Sequence, residues 1–165
     1  MSFMNAARRT ILASSRTVQR RGLITLEKPI YTTTAVALGG GRQGTTHLED
    51  NSIKLTLALP TELGGDGKGN NPEQLLALGY GACFLGALRA VAGQKGVKVP
   101  DDVSVKTSVT IGKPTSLPGF GLKVDIRVLG LDGVSDKDGL VAAAHEFCPY
   151  SRALQQGIET SAKAE

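Results

Sequence analysis

Three stretches of the chain interleave apolar and polar residues with a period of two. Ile53, Leu55, Leu57 and Leu59 alternate with Lys54, Thr56 and Ala58. Val103, Val105, Thr107, Val109 and Ile111 alternate with Ser104, Lys106, Ser108 and Thr110, and Leu122, Val124, Ile126 and Val128 with Lys123, Asp125 and Arg127. Such alternation predicts strands with one dry and one wet face. The loop GKPTSLPGFG between the last two is too short for a crossover, so they are expected to pair antiparallel. A weaker strand is expected over Tyr31–Ala37.

The period changes at Asn71-Pro72-Glu73, where a capping residue, a proline for the first helical position and a first-turn acid announce a helix running to about Lys95-Gly96. Its length is near 36 Å at about 1.5 Å per residue. Leu75–Leu88 carries no charge and is apolar nearly all round, as a buried central helix is. That stretch is shorter than the roughly 20 residues of a membrane span, so no span is expected. A second helix is expected from Ser135, with Ser135 and Asp138 as a capping-box-like pair, to His145 or Phe147. Cys148-Pro149 should interrupt it, because the residue before a proline is pushed out of the helical region, and Pro149–Gln156 can restart as a short helix.

Composition changes this picture at the N-terminus. The 165 residues suit one domain, and the formal charge of +4 would suggest an anionic partner. Yet Arg8, Arg9, Arg16, Arg20 and Arg21 lie before residue 23 with no acid among them; setting them aside from the 19 Lys and Arg leaves 14 against 15 Asp and Glu. The basicity belongs to a tail, and the body offers no basic stripe with interleaved aromatics for nucleic acid. In that tail Met4, Ala7, Ile11 and Val18 share one helical face and Arg9, Arg16 and Arg20 the opposite one, the character of a mitochondrial presequence. Cleavage is expected after Arg20-Arg21, around residues 22 to 24. Residues 1–23 are thus read as a presequence and 24–165 as a single domain.

The candidate chemistry centres on the two cysteines. Along the central helix Gly79, Ala82, Cys83, Gly86, Ala90 and Gly93 fall within about 100° of one another, a stripe of small residues where a backbone or a substrate can come close. Cys148 stands at the expected start of the last helix, where the macrodipole favours a thiolate. Spacing alone leaves other readings open: Cys83 as a small core residue with Cys148 as an incidental cap, or a structural disulfide. A zinc site is disfavoured, because His145 and Cys148 supply two ligands but His47 and Cys83 have no ligand-like spacing. His47 is expected in a loop and His145 on a helix surface.

Four motifs, GGGRQG at 39–44, PTELGG at 60–65, NPEQLLALGYGACFLGAL at 71–88 and HEFCPYS at 145–151, resemble in order those of the organic hydroperoxide resistance proteins of the Ohr/OsmC superfamily. The resemblance covers essentially residues 30–158. It implies an α+β fold in which antiparallel sheets wrap two central helices of an intertwined homodimer, with active sites at the subunit interface. It further implies Cys-dependent reduction of organic hydroperoxides to alcohols, with no bound cofactor. Cys83 corresponds to the peroxidatic cysteine, Cys148 to the resolving cysteine, Arg42 to the arginine that steadies the thiolate and Glu62 to the carboxylate that orients it. The implied reductant is dihydrolipoamide or a lipoylated protein, and lipoylated dehydrogenase complexes of the mitochondrial matrix agree with the presequence. A general thiol–disulfide oxidoreductase lacks support because there is no C-x-x-C, whereas a non-catalytic peroxide sensor or ligand-binding member is the alternative. The C-terminus departs from the family's closing strand: QGIETSAKAE offers only Ile158 as an apolar residue with strand character.

Overall fold

The computed structural model describes residues 23–164, so the presequence reading, all but Leu23, lies outside the described residues. Three short strands open the chain: β1 (Ala35–Leu38), β2 (Thr45–Leu48) and β3 (Lys54–Thr56), paired antiparallel in that order. Helix α1 (Pro72–Gln94) follows, then the hairpin β4 (Ser104–Gly112) and β5 (Gly121–Leu129), and finally α2 (Lys137–Phe147) and α3 (Pro149–Gln156). This is an α+β architecture of two antiparallel sheets and, among the described residues, three helices.

The two long strands are those that the alternation foretells. β4 and β5 pair antiparallel from Ser104 opposite Leu129 to Gly112 opposite Gly121, and the half-buried residues recur at every second position of β4. α1 starts where its cap signals place it: the Asn71 side chain accepts from the Gln74 N–H at 2.9 Å, and the Gln74 side chain accepts from the Asn71 N–H at 2.9 Å. This reciprocal box satisfies two of the free amides of the first turn.

Four expectations need correction. The alternating stretch at 53–59 forms a strand only at Lys54–Thr56; Leu57 leaves the ladder to donate to the Gly44 carbonyl and bridge to Asn70. The first strand lies at 35–38 rather than 31–37, with Tyr31 exposed. β2 has no alternation to announce it; pairing on both edges holds Thr45–Leu48 extended, which puts His47 in a strand and not in a loop. Helix α2 is capped by Asp136, whose side chain accepts from the Gly139 N–H at 3.0 Å, and not by the Ser135–Asp138 pair. At the C-terminus Ile158 makes a single parallel bridge with Ile24.

The core forms where one side of α1 meets β4 and α2. Tyr80, Phe84, Leu88 and Val91 are buried there with Leu140, Ala144 and Cys148. By length and apolarity α1 would pass for a membrane-crossing helix, but this face is packed inside the domain. Its other face is open in the single chain: Leu78 is 69% exposed, and Ala82, Gly86, Ala90 and Gly93 are exposed beside it. The stripe of small residues is therefore a surface feature, with Cys83 half-buried at its edge.

Candidate functional site

Both cysteines are free, and the fold brings them together. Cys83 lies mid-helix on α1, and Cys148 sits at the break between α2 and α3; their sulfurs are 3.5 Å apart, with the Cys148 thiol directed at Cys83. The break is built as the sequence suggests. The Cys148 N–H still donates to the Ala144 carbonyl at 2.9 Å, its ψ of 125° turns the chain out of the helix, and Pro149 opens α3. Cys148 is fully buried.

Burial pushes the Cys83 thiol above its ordinary pKa, because the apolar surroundings penalise the charged form, and the neighbouring Cys148 thiol acts in the same direction. A backbone hydrogen bond from Tyr150 works against them. Pro149 has no N–H to give, so the amide of Tyr150, next in α3, is the first one available. The helix N-terminus expected to serve Cys148 thus reaches across to Cys83.

Arg42 lies in the turn of 3-10 helix at Gly41–Gln43 and forms an ion pair with Glu73 in the first turn of α1. Glu62, the expected partner, is instead in the turn Thr61–Leu63, where its carboxylate accepts from the Thr61 hydroxyl at 3.1 Å. The pairing of Arg42 with Glu62 is thereby corrected. Glu73 is fixed by the capped helix and only 12% exposed in its side chain, whereas Glu62 is an exposed residue of a glycine-bounded turn. Glu73 also lies ten residues before Cys83 on the same helix, a rise of about 15 Å, so the Arg42–Glu73 pair stands almost three turns from the sulfur of its own chain.

A polar cluster that the sequence did not single out surrounds the cysteines. The Tyr80 hydroxyl donates to Ser151 Oγ at 2.9 Å, and Ser151 Oγ lies 2.9 Å from His145 Nδ1, whose other ring nitrogen contacts the Gln155 amide. Ser151 is fully buried. Burial raises the Tyr80 phenol above its ordinary value, and the two nearby thiols add to the shift. The step from Cys148 to Ser151 is a signal in the sequence, since the residue that caps a helix and the third residue inside it face each other. Among the described residues no group of three or more His, Cys, Asp and Glu is arranged to hold a metal.

Three clefts border α1, one of them, of about 500 Å³, between Glu62, Leu63, Glu73, Gln74 and Ala77. A second, of about 390 Å³, is lined by Tyr80, Phe84, Ile126, Val141 and His145. The third, of about 430 Å³, runs along Leu78, Ala82 and Leu85 to Val105 and Thr107 of β4. Thr107 Oγ1 there is buried with no hydrogen-bond partner.

Fold and site together define a small α+β domain with a juxtaposed, unbridged thiol pair. Residues 65–163 match the family model described as OsmC-like protein. The chain belongs to the Ohr/OsmC family. It is 45% identical over 139 residues to an organic hydroperoxide resistance protein of Xanthomonas axonopodis pv. citri, covering 82% of this chain and 94% of that one. It is 37% identical over 140 residues to organic hydroperoxide resistance protein OhrA of Bacillus subtilis, covering 82% and 96%. Among solved structures, an organic hydroperoxide resistance protein from Legionella pneumophila matches with a TM-score of 0.69 at 43% identity, over 80% of this chain and 95% of that one. A similar protein from Vibrio cholerae, solved with captopril in one of the active sites, matches with a TM-score of 0.73 at 38% identity, covering 82% and 92%.

Proposed function

We propose that the protein is a thiol peroxidase that reduces organic hydroperoxides to alcohols. The observation that carries this reading is the pair of free sulfurs 3.5 Å apart, with Cys83 partly accessible and Cys148 buried behind it. The Cys83 thiolate attacks the distal oxygen of the hydroperoxide, the O–O bond breaks, and the sulfur is oxidised to a sulfenic acid while the alkoxide leaves with a proton as the alcohol. The Cys148 thiol then attacks that sulfur; the hydroxyl leaves as water with the Cys148 proton, and the disulfide closes. A dihydrolipoyl dithiol restores both thiols by exchange and becomes the cyclic lipoyl disulfide.

The first step needs a thiolate, and burial opposes one at Cys83. The Arg42–Glu73 pair supplies the missing cation if it comes from a second copy, because its own Cys83 is almost three turns away. This favours a homodimer whose sites are completed across the interface, packed on the open face of α1 where Ala82, Gly86 and Ala90 admit close approach. A substrate that lies along Leu78, Ala82 and Leu85 meets mostly apolar groups, which suits an alkyl or fatty-acyl hydroperoxide better than hydrogen peroxide.

The test is steady-state turnover. Purified protein with an alkyl hydroperoxide and dihydrolipoamide should consume many equivalents of peroxide per subunit; consumption that stops at one equivalent would mark a sensor instead. The matrix location and the lipoylated dehydrogenase complexes as electron donors are part of the same proposal. Residues 1–24 fused to a reporter should direct it to mitochondria, and exchanging Arg9, Arg16 and Arg20 for Glu should abolish import. A reporter that stays in the cytosol with the native segment would remove the matrix from the reading.

A further inference from the structure

We infer that Ser151, held between Tyr80 and His145, is the positioning residue that brings Cys148 to Cys83 for disulfide closure. The argument is one of register. On α1, Tyr80 precedes Cys83 by three residues; on the facing segment, Ser151 follows Cys148 by three. Residues three apart on a helix share a face. The Tyr80–Ser151 hydrogen bond of 2.9 Å is therefore a second rung, one turn away, parallel to the sulfur rung of 3.5 Å. Contacts around it repeat the same antiparallel offset: the Tyr80 and Tyr150 rings lie 5.8 Å apart, and Phe84 faces His145 at 6.1 Å.

Cys148 needs such a rung. It sits at a break, its side chain makes no capping bond, and two separate helices meet at it. The Ser151 hydroxyl ties all three helices: it accepts from Tyr80 on α1 and, with Nδ1 of His145 as acceptor, donates to α2, while its own backbone belongs to α3. The bond is directional and fully buried, so its loss leaves the Tyr80 donor without a partner where no water replaces it. Closing the disulfide requires the sulfurs to approach from 3.5 Å to about 2.05 Å. A small error in the position of α3 is thus a large fraction of the remaining path. Attack on the peroxide, by contrast, needs one sulfur, Cys83, favoured by the Tyr150 N–H, and the rung does not touch that sulfur.

The inference rests on the two-cysteine cycle proposed above, and its test has one arm that does not. With one equivalent of cumene hydroperoxide and rapid quenching, Ser151→Ala and Tyr80→Phe should form the Cys83 sulfenic acid with a smaller loss of rate than they show in closure. They should then close the disulfide more slowly, by up to about 10²-fold, the scale that a misplacement of about 1 Å can cost. Excess peroxide should leave more sulfinic acid in both variants. The double variant should be no slower than Ser151→Ala, since Tyr80→Phe removes only a bond that Ser151→Ala already breaks; a role confined to packing would give additive losses that follow the thermal midpoint. In the second arm, protein equilibrated with a glutathione redox buffer closes the bridge by exchange, two thiols reducing one oxidised glutathione to two reduced molecules. The equilibrium constant should fall as well in the variants, on the order of tenfold, which is a change of about 30 mV in potential. Closure and equilibrium constant both unchanged in Tyr80→Phe, which keeps the ring and loses only the hydroxyl, would overturn the clamp. Native protein inert to peroxide but variants weakened in glutathione would overturn the peroxidase reading and leave the clamp standing.

Discussion

Cys83→Ser should lose all reaction with an alkyl hydroperoxide, because a neutral hydroxyl cannot replace a thiolate at the O–O bond. Cys148→Ser should behave differently, and the difference assigns the roles. It should consume about one equivalent and stop with a Cys83 sulfenic acid that a dimedone-type reagent tags, since attack needs one sulfur and closure needs two. Recycling by dihydrolipoamide should fail in that variant, and further peroxide should carry Cys83 to the sulfinic acid. Mass spectrometry of the tagged peptide reads the outcome. A tag on Cys148, or a Cys148→Ser protein as inert as Cys83→Ser in single turnover, would reverse the assignment.

The second large effect separates two carboxylates. Glu73→Gln should lower kcat/KM for an alkyl hydroperoxide on the order of 10²-fold, as the loss of a group that steadies developing charge does, while Glu62→Gln should stay within about twofold. Arg42→Lys should also lose activity, because a rotating ammonium cannot face sulfur and carboxylate with one planar fork. In Arg42→Lys the pH profile of Cys83 alkylation should move to higher pH, since weaker stabilisation of the thiolate lets the thiol pKa rise toward the raised level that burial sets. The reverse ranking, with Glu62→Gln inactive and Glu73→Gln unaffected, would restore Glu62 as the partner.

The sequence carries these elements unevenly, for identifiable reasons. β4, β5 and α1 were legible because burial on one side writes a period into the residues, and because the α1 cap is local chemistry at Asn71, Pro72 and Gln74. The break at Cys148-Pro149 was legible for the same kind of reason. β2 was not, because TTHL is held by its two neighbours and not by any preference of its own. The two cysteines drew notice by their places on the helices, and Arg42 only through a motif. Glu73 was read as a first-turn acid that starts a helix, which it is; its second use depends on where the Gly41–Gln43 turn comes to rest, and that is a tertiary fact. Ser151 and Tyr80 look like ordinary polar residues of an amphipathic helix and an apolar one until the helices are packed.

The bridge between Ile24 and Ile158 has a practical side. The Ile24 N–H donates to the Gly157 carbonyl at 3.3 Å, and Leu23 lies so close to Gly157 that an added Cβ would come within 2.9 Å of it. Gly157 closes α3, the helix that carries Ser151 and begins at the buried thiol. Whatever shifts α3 is therefore felt at the start of the folded body. A fluorophore or spin label on Ile158, which is half exposed beside Gly157, can eavesdrop on the redox centre from outside, without a probe ever being placed among the sulfurs.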